Sequence, residues 1–238
     1  MFSFFAQHPK TVNVISGCTK VRFESQANHR HYCARQGYTY IWDQVERDIK
    51  SPYDHKLRAL LDLPIDNQWW FWVDDDAFFT QMNTPLQTFL NGLPRKIQMV
   101  FANSPINPKG GWTYLSSGNF FFKSTQRVHD FLQSALDSDL VMIREWWDAD
   151  KYGMFTKGDQ DKIVYQLVNQ PEMMERTKIV GYDTFNWRPY HFHNAHDEHF
   201  LSHFAVPGVT KLDAIEEFRS KWNFPDSSLV FPEQSVNE

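Results

Sequence analysis

Apolar and polar positions along this chain switch between two periods, and the switching predicts an ordered series of elements. Thr11-Val12-Asn13-Val14-Ile15-Ser16-Gly17 reads as a buried strand ending at a glycine turn. A helix is expected from Phe23 to Gln36, stopped by Gly37 at a C-cap position. Tyr38-Thr39-Tyr40-Ile41-Trp42 has the aromatic and β-branched make-up of a second strand. Leu57, Leu60 and Leu61 share one helical face, and Pro64 closes that helix. Trp69-Trp70-Phe71-Trp72-Val73 is apolar without a break and runs straight into Asp74-Asp75-Asp76. A strand apolar on both faces belongs in the middle of a covered, mostly parallel sheet.

Further along, Ile97 to Ala102 and Ser117 to Phe122 are strand candidates. Val128, Phe131, Leu132, Ala135 and Leu136 follow the spacing of an amphipathic helix. Ile163, Val164, Leu167 and Val168 give another, with Asp159 placed to cap it. Leu212, Ile215, Phe218 and Trp222 form a last helix begun by Thr210, and beyond Pro225 the chain is polar. Strands alternating with helices imply an α/β sheet with right-handed crossovers. One domain over residues 1–225 is expected, followed by a polar tail at 226–238. In such sheets ligands bind beyond the carboxyl ends of the strands, which is where the three aspartates fall.

Composition narrows the partners. The 238 residues are 42% hydrophobic and 22% charged with a formal net charge of −5, which excludes intrinsic disorder. That acidic balance gives no general attraction to nucleic acid, so an anionic ligand needs a local basic or metal site. Cys18 and Cys33 are too few for a disulfide framework and lack metal-site spacing, which fits a reducing compartment. No apolar stretch is long enough to span a membrane. The aromatic start at Met1 to Phe5 reads as a segment packed on the body, with peripheral membrane contact as the alternative. The aromatic count is high, at 9 Trp, 9 Tyr and 21 Phe. Packing accounts for the strand aromatics; Trp112, Tyr114, Trp146, Trp147, Tyr152, Trp187 and Tyr190 lie in less regular segments and are expected to line a ligand cleft.

The aspartates carry the chemistry. Side chains alternate along a strand, so Asp74 and Asp76 face one way and Asp75 the other. Two carboxylates on one side repel unless a cation lies between them, and hard oxygen ligands suit Mn²⁺ or Mg²⁺. Such an ion can neutralise a departing nucleoside diphosphate. A solvated acidic turn is the competing reading.

A Trp-rich strand running into Asp-x-Asp and then Ala77-Phe78-Phe79-Thr80 resembles the nucleotide-sugar site of GT-A glycosyltransferases. More narrowly, the chain resembles glycosyltransferase family 34, the galactosyl-, mannosyl- and xylosyltransferases. The resemblance runs through Asn28 to Tyr38, Lys56 to Leu60, Trp70 to Thr80, Ser116 to Ser124 and Gly158 to Asp161, in the family's order, and on to the ending His203-Phe204-Ala205-Val206-Pro207-Gly208. Asn119 stands where the family has serine, and Lys123 where it has arginine.

The resemblance implies a Rossmann-like GT-A sheet, mixed but mostly parallel and flanked by helices. It also implies sugar transfer from a nucleoside diphosphate, UDP first, to a glycan hydroxyl with retention. Asp76 would ligate the metal, Asp74 would ligate it or reach the ribose, and His203 would be the third ligand. Ser16, Gly17 and Cys18 would meet the nucleobase or form a tight bend. Arg22, Lys56 and Lys211 are cations for the diphosphate, with Asp75 and Gly208 nearby, or ordinary surface charges. Gly118 and Asn119 would line the donor sugar. Asp159, Gln160 and Asp161 would orient the acceptor and support the transition state, or simply start a helix. Trp112, Trp187 and His191 would hold the acceptor. Eukaryotic members carry a membrane anchor, so a cytoplasmic microbial or viral relative, or a soluble form without its anchor, is expected.

Three other functions compete. An inverting transferase would use Asp159 or Asp161 as base. A zinc hydrolase would use the histidines between His191 and His203, although no His-Glu-x-x-His is present. A carbohydrate-binding module would use the tryptophans without needing three acids at a strand end.

Overall fold

The computed structural model describes residues 11–23, 25–49, 51–191 and 199–205, and the helix from 209 to 222. The expectations for the aromatic start and the polar tail lie outside the described residues. The strands are β1 (Val12–Gly17), β2 (Tyr40–Asp43), β3 (Trp69–Val73), β4 (Ala77–Phe79), β5 (Met99–Ala102), β6 (Ser116–Lys123), β7 (Thr177–Val180) and β8 (Leu201–His203). Six of them form one sheet in the order β2-β1-β3-β6-β5-β7, and β4 pairs with β8 in a second, two-stranded sheet.

The expected α/β sheet is present. Pairings β1–β2, β1–β3 and β5–β7 are parallel, while β6 runs antiparallel to both its neighbours, β3 and β5. The Trp-rich strand β3 sits inside the sheet, between β1 and β6, as its two apolar faces require.

The helices are α1 (Ser25–Gln36), α2 (Asp54–Leu61), α3 (Gln126–Asp137), α4 (Leu140–Trp146), α5 (Ala149–Tyr152), α6 (Asp159–Asn169), α7 (Pro171–Met174), α8 (Tyr182–Phe185) and α9 (Val209–Trp222). Trp70 and Trp72 of β3 pack with Phe120 and Phe122 of β6 under apolar residues of α2, α3 and α6. On the opposite face Trp69, Phe71, Val73 and Phe121 pack with Tyr32 and Cys33 of α1, Phe79 of β4 and Phe185 of α8. Each such fully buried ring contributes about 1.5–3 kcal/mol. In α9, Ile215 is buried but Leu212 is exposed. Leu212 therefore does not belong to the apolar face that the sequence spacing gave it. No described helix is long and apolar enough to cross a membrane.

Helix α1 holds β4 through polar side chains. The Asn28 amide donates to Phe79 O at 2.9 Å, and its oxygen accepts from Phe79 N at 2.7 Å. One side chain thus stands in for a strand partner along that edge. His29 Nε2 lies 2.7 Å from Ala77 O, so this nitrogen carries the ring proton and donates it. Burial pushes His29 down from 6.5 to about 4. The unfolded histidine protonates first as pH falls, so stability should decline between pH 6.5 and about 4. The His29 share of that loss approaches about 3 kcal/mol. Urea unfolding of His29→Gln across this range should give a shallower acid slope than the parent chain. Equal slopes would remove His29 as the source.

Candidate active site

The site is built where β3 ends. Asp74 N donates to Gly118 O at 2.8 Å, which ties the turn after β3 to the adjoining strand β6. Ala77 N donates to Asp74 O at 3.1 Å and starts β4. Antiparallel pairing of β4 with β8 sets Ala77 opposite His203, so the imidazole arrives beside Asp76. Ligand atoms of Asp74, Asp76 and His203 all lie within 4.8 Å of one another. His203 Nε2 is 3.2 Å from Asp76 Oδ1 and 3.8 Å from Asp74 Oδ2.

Cations and donors fix these groups. Lys56 Nζ of α2 is 2.9 Å from Asp74 Oδ1 and 3.0 Å from Asp159 Oδ2, and it donates to Ser117 O at 2.9 Å. Trp72 Nε1 donates to Asp74 Oδ1 at 2.6 Å. Lys211 of α9 forms an ion pair with Asp76 Oδ2. Arg188 Nη1 donates to Asn186 Oδ1 at 2.7 Å and lies 2.8 Å from His203 Nδ1.

Burial opposes the charge of Lys56, but Asp159 and Asp74 outweigh it and hold the ammonium protonated. Burial would also raise Asp76, yet the neighbouring His203 and Lys211 outweigh it and hold the carboxyl well below the usual range. For Asp75, burial first, then Asp76 and Asp74, outweigh the more distant Lys211 and Lys56 and push it up to about 7. Burial, with the Arg188 guanidinium second, lowers His203 against the pull of Asp76 and Asp74.

The donor set fits a divalent cation. Two carboxylates and a neutral imidazole suit Mn²⁺. Asp76 Oδ1 is buried without a well-aligned donor, so a ligand oxygen is left over. Asn186 Oδ1, 3.1 Å from His203 Nδ1, can orient the ring from behind. Gly118 is needed here because a Cβ at that position would run into the His203 imidazole. Gly118→Ala should therefore displace His203 and weaken Mn²⁺ binding roughly 10–100-fold, as loss of ligand positioning does. Unchanged Mn²⁺ affinity in the alanine variant, read by electron paramagnetic resonance, would refute that role.

These groups line a cleft of about 480 Å³. Of the residues singled out in the sequence, Gly17, Cys18 and Arg22 line its β1 side, and Lys56 and Asp74 to Asp76 its floor. Gly118, Asp159, Gln160, His203 and Lys211 complete it. Gly17 admits the close passage of β2, since a Cβ there would overlap Asp43 O. Cys18 and Cys33 are free thiols, each pushed up to about 12 by burial.

Other residues singled out in the sequence lie away from this cleft. Ser16 and Asn119 are fully buried and do not face the cleft. Asp159 does not cap α6. Gly158 is the N-cap, and Asp161 turns back on it, accepting from Gly158 N at 3.2 Å and Thr156 N at 3.0 Å. That pulls Asp161 out of the cleft and leaves Asp159 in it. Trp112, Trp187 and His191 are not among the lining residues, nor are Tyr114, Trp146, Trp147, Tyr152 and Tyr190. Two of these rings meet other rings: Trp146 stacks on Tyr152 at 4.9 Å, and Trp187 lies 3.6 Å from the His199 ring. The aromatics along the cleft are instead Phe23, Tyr53 and Trp72. Gly208 lies outside the described residues, as do the histidines at 193 and 196. Among the described residues, the grouping with metal-site geometry is Asp74, Asp76 and His203.

Asn186 and Arg188 escaped the sequence reading. They are single polar residues in a segment without periodicity, and only the pairing of β8 reveals what they touch.

No protein-family model matches the chain, and no curated protein sequence matches it. Among solved structures, it is similar to a glycosyltransferase involved in the glycosylation of the major capsid of PBCV-1. The TM-score is 0.61 at 16% identity, over 85% of this chain and 98% of that one. It also resembles mouse xyloside xylosyltransferase 1 in its apo form, at TM-score 0.45 and 11% identity, over 83% of this chain and 99% of that one. The first of these likenesses, with the six-stranded mixed sheet, shows that the chain has the fold of the GT-A nucleotide-diphospho-sugar transferases.

Proposed function

We propose that this chain is a metal-dependent glycosyltransferase, related to family 34, that moves a hexose or pentose from a nucleoside diphosphate, UDP first, to a glycan hydroxyl. Retention at the anomeric carbon goes with that relationship. One observation carries the reading: Asp74, Asp76 and His203 converge at the carboxyl end of the central strand of a GT-A sheet, inside a cleft that also holds Lys56 and Asp159. Asp74, Asp76 and His203 would hold Mn²⁺, which when bound supplies positive charge for the departing diphosphate. Lys211 and Arg22 stand at the same cleft for phosphate oxygens. Gly17 and Cys18 would leave backbone groups for the nucleobase. Should transfer invert, the structure favours Asp159 over Asp161 as the base, because Asp161 is committed to the helix terminus.

The test is a nucleotide-sugar hydrolysis screen with Mn²⁺, together with thermal unfolding. UDP and Mn²⁺ together should raise Tm more than their separate shifts combined, since each ligand completes the other's site. No joint effect with UDP or GDP, and no donor hydrolysed, would overturn the proposal. Stoichiometric zinc in the purified chain would support the hydrolase reading instead.

A further inference from the structure

Among the cations that line the cleft, Lys56, Lys211 and Arg188 differ in their partners. Lys56 holds two carboxylates and Lys211 holds one. Arg188 is 6% exposed, and among the described residues it has no carboxylate within ion-pair distance. Both of its side-chain hydrogen bonds there leave from Nη1, to the neutral groups Asn186 and His203. Its nearest counter-charges, Asp76 and Asp74, act on it only from beyond ion-pair distance, a costly position for a buried guanidinium whose fork is built for oxyanions. Such a group in a ligand cleft points to an anion that arrives with the ligand.

The contact with His203 says when the anion is taken. Nη1 can donate to Nδ1 only if Nδ1 carries a lone pair, which places the ring proton on Nε2, facing Asp76. A cation on Nε2 needs the lone pair there, so the neutral ring must carry its proton on Nδ1. Asn186 Oδ1 can accept that proton at 3.1 Å. Arg188 and His203 would then present donors to each other, and Nη1 has to turn away. Its open side is the cleft, which Arg188 already lines.

We infer that Arg188 binds an anionic oxygen of the donor, a phosphoryl oxygen of the diphosphate or a carboxylate on the sugar, and is released to do so when the metal site fills. This rests on the glycosyltransferase reading above. It makes Arg188 a donor-binding residue and couples the metal to the anion through one imidazole.

The experiment compares the parent chain, Arg188→Met and Arg188→Lys by thermal shift and calorimetry. The probes are Mn²⁺ alone, and UDP, pyrophosphate, UDP-glucose and UDP-glucuronic acid, each with Mn²⁺. Arg188→Met should still bind Mn²⁺, read by electron paramagnetic resonance. Its Kd for the anionic probe in the presence of Mn²⁺ should rise about 10–100-fold, as loss of a charge-assisted hydrogen bond requires. Arg188→Lys, which keeps the charge but not the fork, should fall in between, and it decides the matter if the methionine variant does not fold. A loss seen already with UDP and pyrophosphate assigns the phosphoryl oxygen. A loss confined to UDP-glucuronic acid assigns the sugar carboxylate. Unchanged Kd values in both variants would overturn the inference, as would loss of Mn²⁺ binding in both. A parent chain that shows no joint effect of Mn²⁺ and UDP fails at the glycosyltransferase reading instead, before any Arg188 variant is compared.

Discussion

Asp76→Ala should abolish Mn²⁺ binding and lower metal-dependent turnover by at least about 100-fold, because the metal supplies several kcal/mol of charge stabilisation. Asp76 is the keystone of the triad. Its Oδ1 faces His203 and its Oδ2 holds Lys211. The carboxylate is buried, yet the fold should tolerate its removal. Lys211 is partly exposed and can swing its ammonium to water, and the β4–β8 pairing is made by backbone. Apo Tm should therefore move little, while the joint Tm shift with UDP and Mn²⁺ disappears. Asp76→Asn separates shape from charge: it keeps the volume and should lose the metal as completely. Turnover within about threefold of the parent in either variant would sink the metal assignment, since no neighbouring carboxylate occupies the same place.

The legible parts of this site and fold share a property. They are written in consecutive residues. Trp69 to Val73 announce a strand covered on both faces because every position is apolar, and the structure sends Trp70 and Trp72 to one core and Trp69, Phe71 and Val73 to the other. Asp74 to Asp76 announce a site because three acids follow that strand with nothing between. The illegible parts depend on distant pairing. β4 has three residues and acquires a partner only from β8, far along the chain. β7 at the sheet edge has one exposed and three half-buried positions and is too short to stand out. Arg188 gains its meaning from Asn186 and His203, and Asn28 from Phe79. Asp159 to Asp161 open α6, but Asp161 rather than Asp159 bonds back to the helix start, because a glycine N-cap leaves the choice of back-bonding carboxylate to local geometry. The aromatic surplus divides differently from expectation as well. Trp72, a strand residue, serves both the core and Asp74, whereas Trp146 and Trp147 pack on one another and Trp187 on His199.

The largest effect on stability is expected at Lys162. Helices α2 and α6 are joined by two ion pairs of opposite sense. Lys56 of α2 meets Asp159 of α6 in the cleft, and Asp54 of α2 meets Lys162 of α6 beneath it at 2.7 Å. Both lower side chains are 6% exposed, and Lys162 Nζ also donates to Leu136 O at 3.1 Å. Lys162→Met strands the Asp54 carboxylate in a buried place and should cost about 3–5 kcal/mol. For a chain of this size that lowers Tm by roughly 6–20 °C. The double variant Asp54→Leu, Lys162→Met removes both charges and should recover most of the loss, because a buried pair is often worth little against apolar residues of similar volume. Turnover then separates two roles. If the lower pair only offsets its own burial, the double variant works like the parent. If it sets the distance between α2 and α6, the double variant is stable but slow, because Lys56 and Asp159 ride on the same two helices. A Lys162→Met variant that loses less than about 1 kcal/mol would mean the pair behaves as a solvated surface bridge, and the two-sided staple would be wrong.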